Sequence, residues 1–83
     1  MEDRIRDILA KCGRLSVPAE GLGAEDNLYD AGLSSLATVN VMLAIEEAFD
    51  VEFPDRLLTR RSFESIASLA AIVDGLKAGA LAS

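Results

Sequence analysis

The sequence predicts an all-α protein, a small four-helix bundle of three main helices and one short one. Three observations carry that expectation. Apolar residues recur at helical spacing near the start, in the middle and near the end of the chain. Pro18, Gly21, Gly23 and Gly32 gather in one segment, which leaves the stretch after Ser35 free of helix breakers as far as Pro54. The chain has 83 residues and a single cysteine, so no internal disulfide can staple it and one apolar core must hold it together.

Ile5, Ile8, Leu9 and Cys12 share one face, and Gly13 stands where a helix would end, so the first helix is expected over 3–12. Cys12 continues that stripe and reads as a core residue, not a reactive thiol. Residues 14–33, RLSVPAEGLGAEDNLYDAGL, read as a long loop, and loops of this length in small domains are often functional. The second helix is expected over 35–50. Pro54 breaks the segment before it, and FPDRLLTRR leaves room for one short helical turn starting near Asp55. The last helix is expected over 63–77 with Ser62 as its N-cap, because Phe63, Ile66, Ala70 and Val73 form a stripe that Leu69 and Leu76 widen. The core is expected from Ile5, Ile8, Leu9, Met42, Ile45, Phe49, Phe53, Ile66, Leu69 and Val73. The small residues of KAGALAS are expected to fray, which gives one domain over 1–78 and a flexible tail over 79–83.

The net charge is −6, and its distribution excludes several classes of partner. No basic residue falls between Arg14 and Arg56, whereas Glu20, Glu25, Asp26, Asp30, Glu46, Glu47, Asp50, Glu52 and Asp55 all do. Such a field repels nucleic acid and anionic membranes and attracts proteins with basic docking surfaces. No run approaches the ~20 apolar residues that a membrane span needs. The opening EDRIRD is charged where a secretory signal would turn apolar, and a lone thiol suits a reducing compartment, so a cytoplasmic monomer is expected.

The second helix carries two apolar faces. Val41, Met42, Ile45, Ala48 and Phe49 gather on one side at 100° per residue and form a core stripe. Leu36, Val39 and Leu43 gather on nearly the opposite side among Asn40, Glu46, Glu47 and Asp50. A helix in a small bundle cannot bury both faces against its own neighbours, so the second reads as a binding surface.

DAGLSSL, residues 30–36, places two serines at the mouth of that helix. The chain has no histidine, which removes a Ser-His-Asp arrangement, and GLSSL is not a GxSxG elbow. One Cys and no His leave only carboxylates for a metal, and DNLYDAGLSSLA departs from the calcium-loop pattern at Leu28 and Ala31. GLGAED is not followed by the Lys-Ser or Lys-Thr of a phosphate loop. No catalytic residue and no metal site is expected. A helix N-terminus does stabilise anions, so one serine could carry a phosphate ester; equally, Ser34 or Ser35 could simply cap the helix.

NLYDAGLSSLATVNVMLAIEEAFDVEFPD, residues 27–55, resembles the acyl and peptidyl carrier proteins, whose signature is Asp-x-Gly-Leu-Asp-Ser-Leu, an amphipathic helix, Glu-Glu-x-Phe and an Ile-Pro-Asp turn. Asp30, Gly32, Leu33, Ser35 and Leu36 match in order, and so do Glu46, Glu47, Phe49, Pro54 and Asp55. With the flanking helices, the likeness covers essentially the whole chain. It implies that Ser35 carries 4′-phosphopantetheine, attached by a phosphopantetheinyl transferase using coenzyme A, with cargo held as a thioester. It further implies that Leu36, Val39 and Leu43, with Glu46, Glu47 and Asp50, dock partner enzymes.

This chain departs from the pattern in two places. Ser34 replaces the usual aspartate, and Ala37, Thr38, Asn40 and Val41 stand where fatty-acid carriers place early acids. IRDILAKCGRL, LYDAGLSS and MLAIEEAFDVEFPDRLLTRRSFESI look more like small stand-alone carriers of amino acids. The ligases that load those carriers resemble the catalytic core of seryl-tRNA synthetases. The narrower likeness implies an amino acid:carrier protein ligase as partner, with glycine or alanine as cargo. A specialised acyl carrier for fatty-acid, lipid or polyketide synthesis is the alternative within the class, and a helical adaptor without a prosthetic group the alternative outside it.

Overall fold

The computed structural model describes residues 1–79. Three helices, α1 (Glu2–Cys12), α2 (Ser35–Phe49) and α3 (Ile66–Lys77), are joined by segments that include three short 3-10 turns, Ala19–Gly21, Asp55–Leu57 and Arg60–Phe63. No strand occurs among the described residues. The all-α expectation holds. The short fourth helix, in contrast, is only two 3-10 turns. Leu58 leaves the helical region (φ −84°, ψ 64°) and Thr59 is extended (φ −124°, ψ 158°), so the two turns cannot join into one helix.

α1 packs against both α2 and α3. Ile5 and Leu9 from α1, Val41 and Ile45 from α2, and Ile66, Leu69 and Val73 from α3 are fully buried. Each contributes roughly 1.5–3 kcal/mol of transfer free energy. Phe49 and Phe53 complete the core, and the Phe53 ring stacks on Phe63 with centroids 5.6 Å apart. Ile8, Cys12 and Met42 are partly buried and pack against this cluster. The expectation that Cys12 belongs to the apolar stripe agrees with that placement. Arg4 joins the start of α1 to the end of α2: its Nη2 donates to the Ala48 carbonyl at 3.0 Å, and its guanidinium lies 4.6 Å from the Phe49 ring centroid.

The last helix begins later than its stripe suggests. Ser65, not Ser62, is the N-cap, its Oγ accepting from Ser68 N at 3.1 Å. Ser62 instead lies in the preceding 3-10 turn, where its N–H donates to Thr59 Oγ1 at 3.3 Å. Long-range pairing selects between the two serines, because the Glu64 carbonyl accepts from Leu28 N at 2.8 Å and Ala67 N donates to the Ala24 carbonyl at 2.9 Å. The first of those bonds takes a carbonyl that a helix starting at 63 would use internally. At the other end, Ala78 caps α3 and Gly79 N donates to the Leu76 carbonyl at 3.2 Å. The rest of the expected tail, 80–83, lies outside the described residues.

The segment between α1 and α2 is a wall of the core. Ala19, Leu22, Leu28, Ala31 and Leu33 are buried, none of which the helical periodicities identify. Backbone bonds fix it: Leu33 N donates to Leu28 O at 3.0 Å, and Arg6 Nε donates to Leu22 O at 3.2 Å. Its tightest point is Gly32. The Ala31 carbonyl accepts from both Ser16 N (2.8 Å) and Ser16 Oγ (2.9 Å). Gly32 sits at φ 111°, where a Cβ would come within 2.8 Å of Ser16 N. Both the backbone angle and the space require glycine. Gly32→Ala is therefore expected to lower stability by about 1–3 kcal/mol, read as an earlier midpoint in denaturant unfolding. An unchanged midpoint would contradict the close approach.

Candidate functional site

The turn at Gly32 delivers the chain into α2 with Leu33 buried beneath it. Ser34 is extended (φ −92°, ψ 164°), and its Oγ accepts from Ala37 N at 3.1 Å. Ser34 is thus the N-cap. Thr38 Oγ1 donates back to the Ser34 and Ser35 carbonyls, and Ala37 is buried, which ties the first turn to the core. Ser35 is the first helical residue. It is exposed, and its hydroxyl makes no hydrogen bond among the described residues. The adjacent serines therefore divide two tasks: one closes the helix, and the other presents a hydroxyl to solvent at its positive end. That placement fits a covalently held phosphodiester, since the first-turn N–H groups and the dipole favour negative charge there.

Beside Ser35 runs the row that the sequence set apart. Leu36, Val39 and Leu43 are 81%, 50% and 53% exposed, while Ala37, Val41, Ile45 and Phe49 on the other side are buried. Glu47 is exposed farther along the helix. Glu46 is half-buried, and its Oε2 accepts from Phe53 N at 2.8 Å, closing the turn after α2. Asp50 is the C-cap of α2 in the left-handed region, with φ 54° and ψ 51°. It lies about 22 Å along the helix from Ser35, at 1.5 Å per residue. The structure therefore places Leu36, Val39 and Leu43 together near Ser35, with Glu46 engaged internally and Asp50 at the far end.

A groove of about 420 Å³ opens on the other flank of Ser35. Ser35, Val39 and Met42 form one side, and Leu58, Arg60 and Phe63 the other. Tyr29 closes one end. Its hydroxyl donates to the Arg60 carbonyl at 2.8 Å, and the Arg60 guanidinium lies 3.8 Å from its ring centroid. Burial raises the Tyr29 pKa; the Arg60 charge opposes that shift and Glu64 adds to it. The phenol consequently stays protonated and donating well past neutral pH. Sequence reading missed this groove, because Tyr29 and Arg60 are joined only by the fold. A larger cleft, about 510 Å³, lies at the distal end of α2 among Phe49, Phe53 and Leu76 and does not include Ser35. Among the described residues, no three potential ligands converge on a metal position, and no helix is long and apolar enough to cross a membrane.

Comparison with known proteins agrees with this arrangement. The family model described as phosphopantetheine attachment site matches residues 3–74. An aminoacyl carrier protein of Agrobacterium fabrum is 56% identical over 69 residues, which make up 83% of this chain and 83% of that protein. The crystal structure of an engineered Bradyrhizobium japonicum glycine:[carrier protein] ligase complexed with carrier protein from Agrobacterium tumefaciens and AMP contains a similar chain. That chain is 54% identical, with 89% of this chain and 99% of that chain covered and a TM-score of 0.86. The NMR structure of a holo acyl carrier protein from Nitrosomonas europaea is 32% identical over 93% of this chain and 95% of that chain, with a TM-score of 0.82. A capped helix mouth with one free serine, on a fold that these carriers share along nearly their full length, leads to one assignment: the chain belongs to the phosphopantetheine-attachment family of carrier proteins.

Proposed function

We propose that this protein is a non-catalytic carrier of an aminoacyl group, with glycine or alanine as cargo, and that Ser35 is its attachment site. The observation that carries the site is the division of labour at the helix mouth: Ser34 Oγ is committed to Ala37 N, whereas the Ser35 hydroxyl is exposed and has no partner among the described residues. Likeness to an aminoacyl carrier and to the partner of a glycine:[carrier protein] ligase supports the cargo. When bound, 4′-phosphopantetheine supplies a terminal thiol on which the cargo is held as a thioester. The chain's own residues do the rest. Ser35 Oγ offers the nucleophile to a phosphopantetheinyl transferase and coenzyme A, and the N-terminal end of α2 stabilises the resulting phosphodiester. Leu36, Val39 and Leu43 give the loading ligase an apolar surface, with Glu47 at its edge; Glu46 and Asp50 add negative charge to the same helix. The protein works as a cytoplasmic monomer.

A specialised acyl carrier is the second reading, favoured by the apolar groove wall of Val39, Met42, Leu58 and Phe63 beside Ser35. Charge argues against it. The first turn of α2 contains no acid, so a basic fatty-acid enzyme finds little to dock on near the attachment point.

Ser35→Ala should fold normally and gain no phosphopantetheine mass from a transferase and coenzyme A. Ser34→Ala should still be labelled but lose about 0.5–2 kcal/mol of cap stability. Intact mass and thermal melts on both variants check this, and labelling of Ser35→Ala would move the site elsewhere. Leu43→Asp is expected to melt close to wild type yet to be loaded at a rate at least tenfold lower, as a buried interface contact worth about 1.4 kcal/mol or more would dictate. For the cargo, holo protein given ATP, a ligase and glycine or alanine should form a hydroxylamine-labile thioester and be a poor substrate for a malonyl transferase. Efficient malonylation without aminoacylation would establish the acyl-carrier reading instead.

A further inference from the structure

The groove beside Ser35 contains one charged residue among the described residues that line it, Arg60. Its guanidinium is held 3.8 Å from the Tyr29 ring centroid, and Tyr29 is itself held by its bond to the Arg60 carbonyl. The two residues thus fix one another from both ends. Arg60 makes no salt bridge among the described residues, although the chain carries an excess of acids. A cation stacked on an aromatic face keeps its in-plane N–H donors available, and these match the oxygens of a phosphate. The opposite wall of the groove is Ser35 and, beyond it, Val39 and Met42.

We infer that Arg60 is a positioning residue for the prosthetic arm: clamped on Tyr29, it pairs with the phosphodiester on Ser35 and draws the arm into the groove between α2 and the 58–63 segment. This inference rests on Ser35 being the attachment site. Its occupant is the chain's own 4′-phosphopantetheine, selected by the continuity of the groove with Ser35 and by the complementarity of the lone cation to a phosphodiester. The apolar wall of Met42, Leu58 and Phe63 then covers the pantetheine portion. The arm lies on the flank away from Leu36 and Leu43, so those two stay clear for a docking enzyme while Val39, shared by the row and the groove wall, lies beside the resting arm.

The test compares amide chemical shifts of the apo and holo forms, after intact mass has confirmed that Ser35 is modified. Absence of modification would defeat the attachment site, a separate failure. In wild type, attachment should shift the amides of residues 58–63 and Met42 as well as those of 34–37. In Arg60→Ala the 58–63 shifts should fall by half or more, with an unchanged apo melting temperature and a changed phosphorus resonance. Arg60→Lys should restore most of the effect. Should Arg60→Ala not fold, wild-type holo protein decides the matter: raising salt from about 0.05 M to about 1 M should return the 58–63 shifts towards their apo values, because screening shortens the reach of the pair. Shifts confined to 34–37 in wild type, or a pattern indifferent to Arg60→Ala, would overturn the inference, as would salt-insensitive 58–63 shifts.

Discussion

The structure depends on the place where two loop strands touch. The Ala31 carbonyl accepts two donors from Ser16, and Gly32 gives up its side chain so that the strands can approach. That contact turns a long connection into a rigid wall. It seats Leu28 and Leu33 in the core and sets the direction from which the chain enters α2. The orientation of Ser34 and Ser35 derives from it, because a helix mouth has meaning only relative to a fixed entry. Without it the segment would carry many backbone groups and little reason to stay in one conformation. Within the Asp-x-Gly-Leu portion of the motif, Gly32 makes the close approach and Leu33 is buried, so these two are architecture, while Ser35 beyond them is exposed.

α2 faces two ways because its sequence has two apolar rows and the bundle has room for one. α1 covers the row from Ala37 to Phe49, and the second row remains in solvent. Leu36, Val39 and Leu43 thus form an exposed apolar row on one face of the helix, the kind of surface that the docking role proposed above requires. The acids on the same helix play unequal parts. Glu46 bonds the Phe53 amide, and Asp50 occupies a left-handed cap, where Asp is among the residues best tolerated after glycine. Both help to end α2. The matching Glu-Glu-x-Phe stretch thus mixes a structural glutamate with a solvent-facing one.

Legibility in the sequence tracked physical range. Patterns that act within a few residues could be read: the stripes of α1 and α2, the break at Pro54, the opposition of Leu43 to Ile45. Whether Ser34 or Ser35 caps α2 was left open by the sequence, since both are good cap residues and only the entry angle decides. For α3 the local stripe pointed to Ser62, and a bond from Leu28 to Glu64 goes with the shift of the cap to Ser65. The buried loop residues carried no period at all. Nor did the Tyr29–Arg60 pair, which is made by residues far apart in sequence that the fold brings to the end of one groove.

Arg4 adds a polarity to the molecule. By holding the Ala48 carbonyl and the Phe49 ring, it anchors the beginning of the chain beside the end of α2, so the two helices run antiparallel. The amino terminus consequently lies beside the end of α2, about 22 Å along that helix from Ser35. Anything joined ahead of Met1, whether a purification handle, a dye or a neighbouring domain, would start from the end of α2 away from Ser35. A tether at that end would leave the mouth of α2, where the attachment site is proposed, unobstructed.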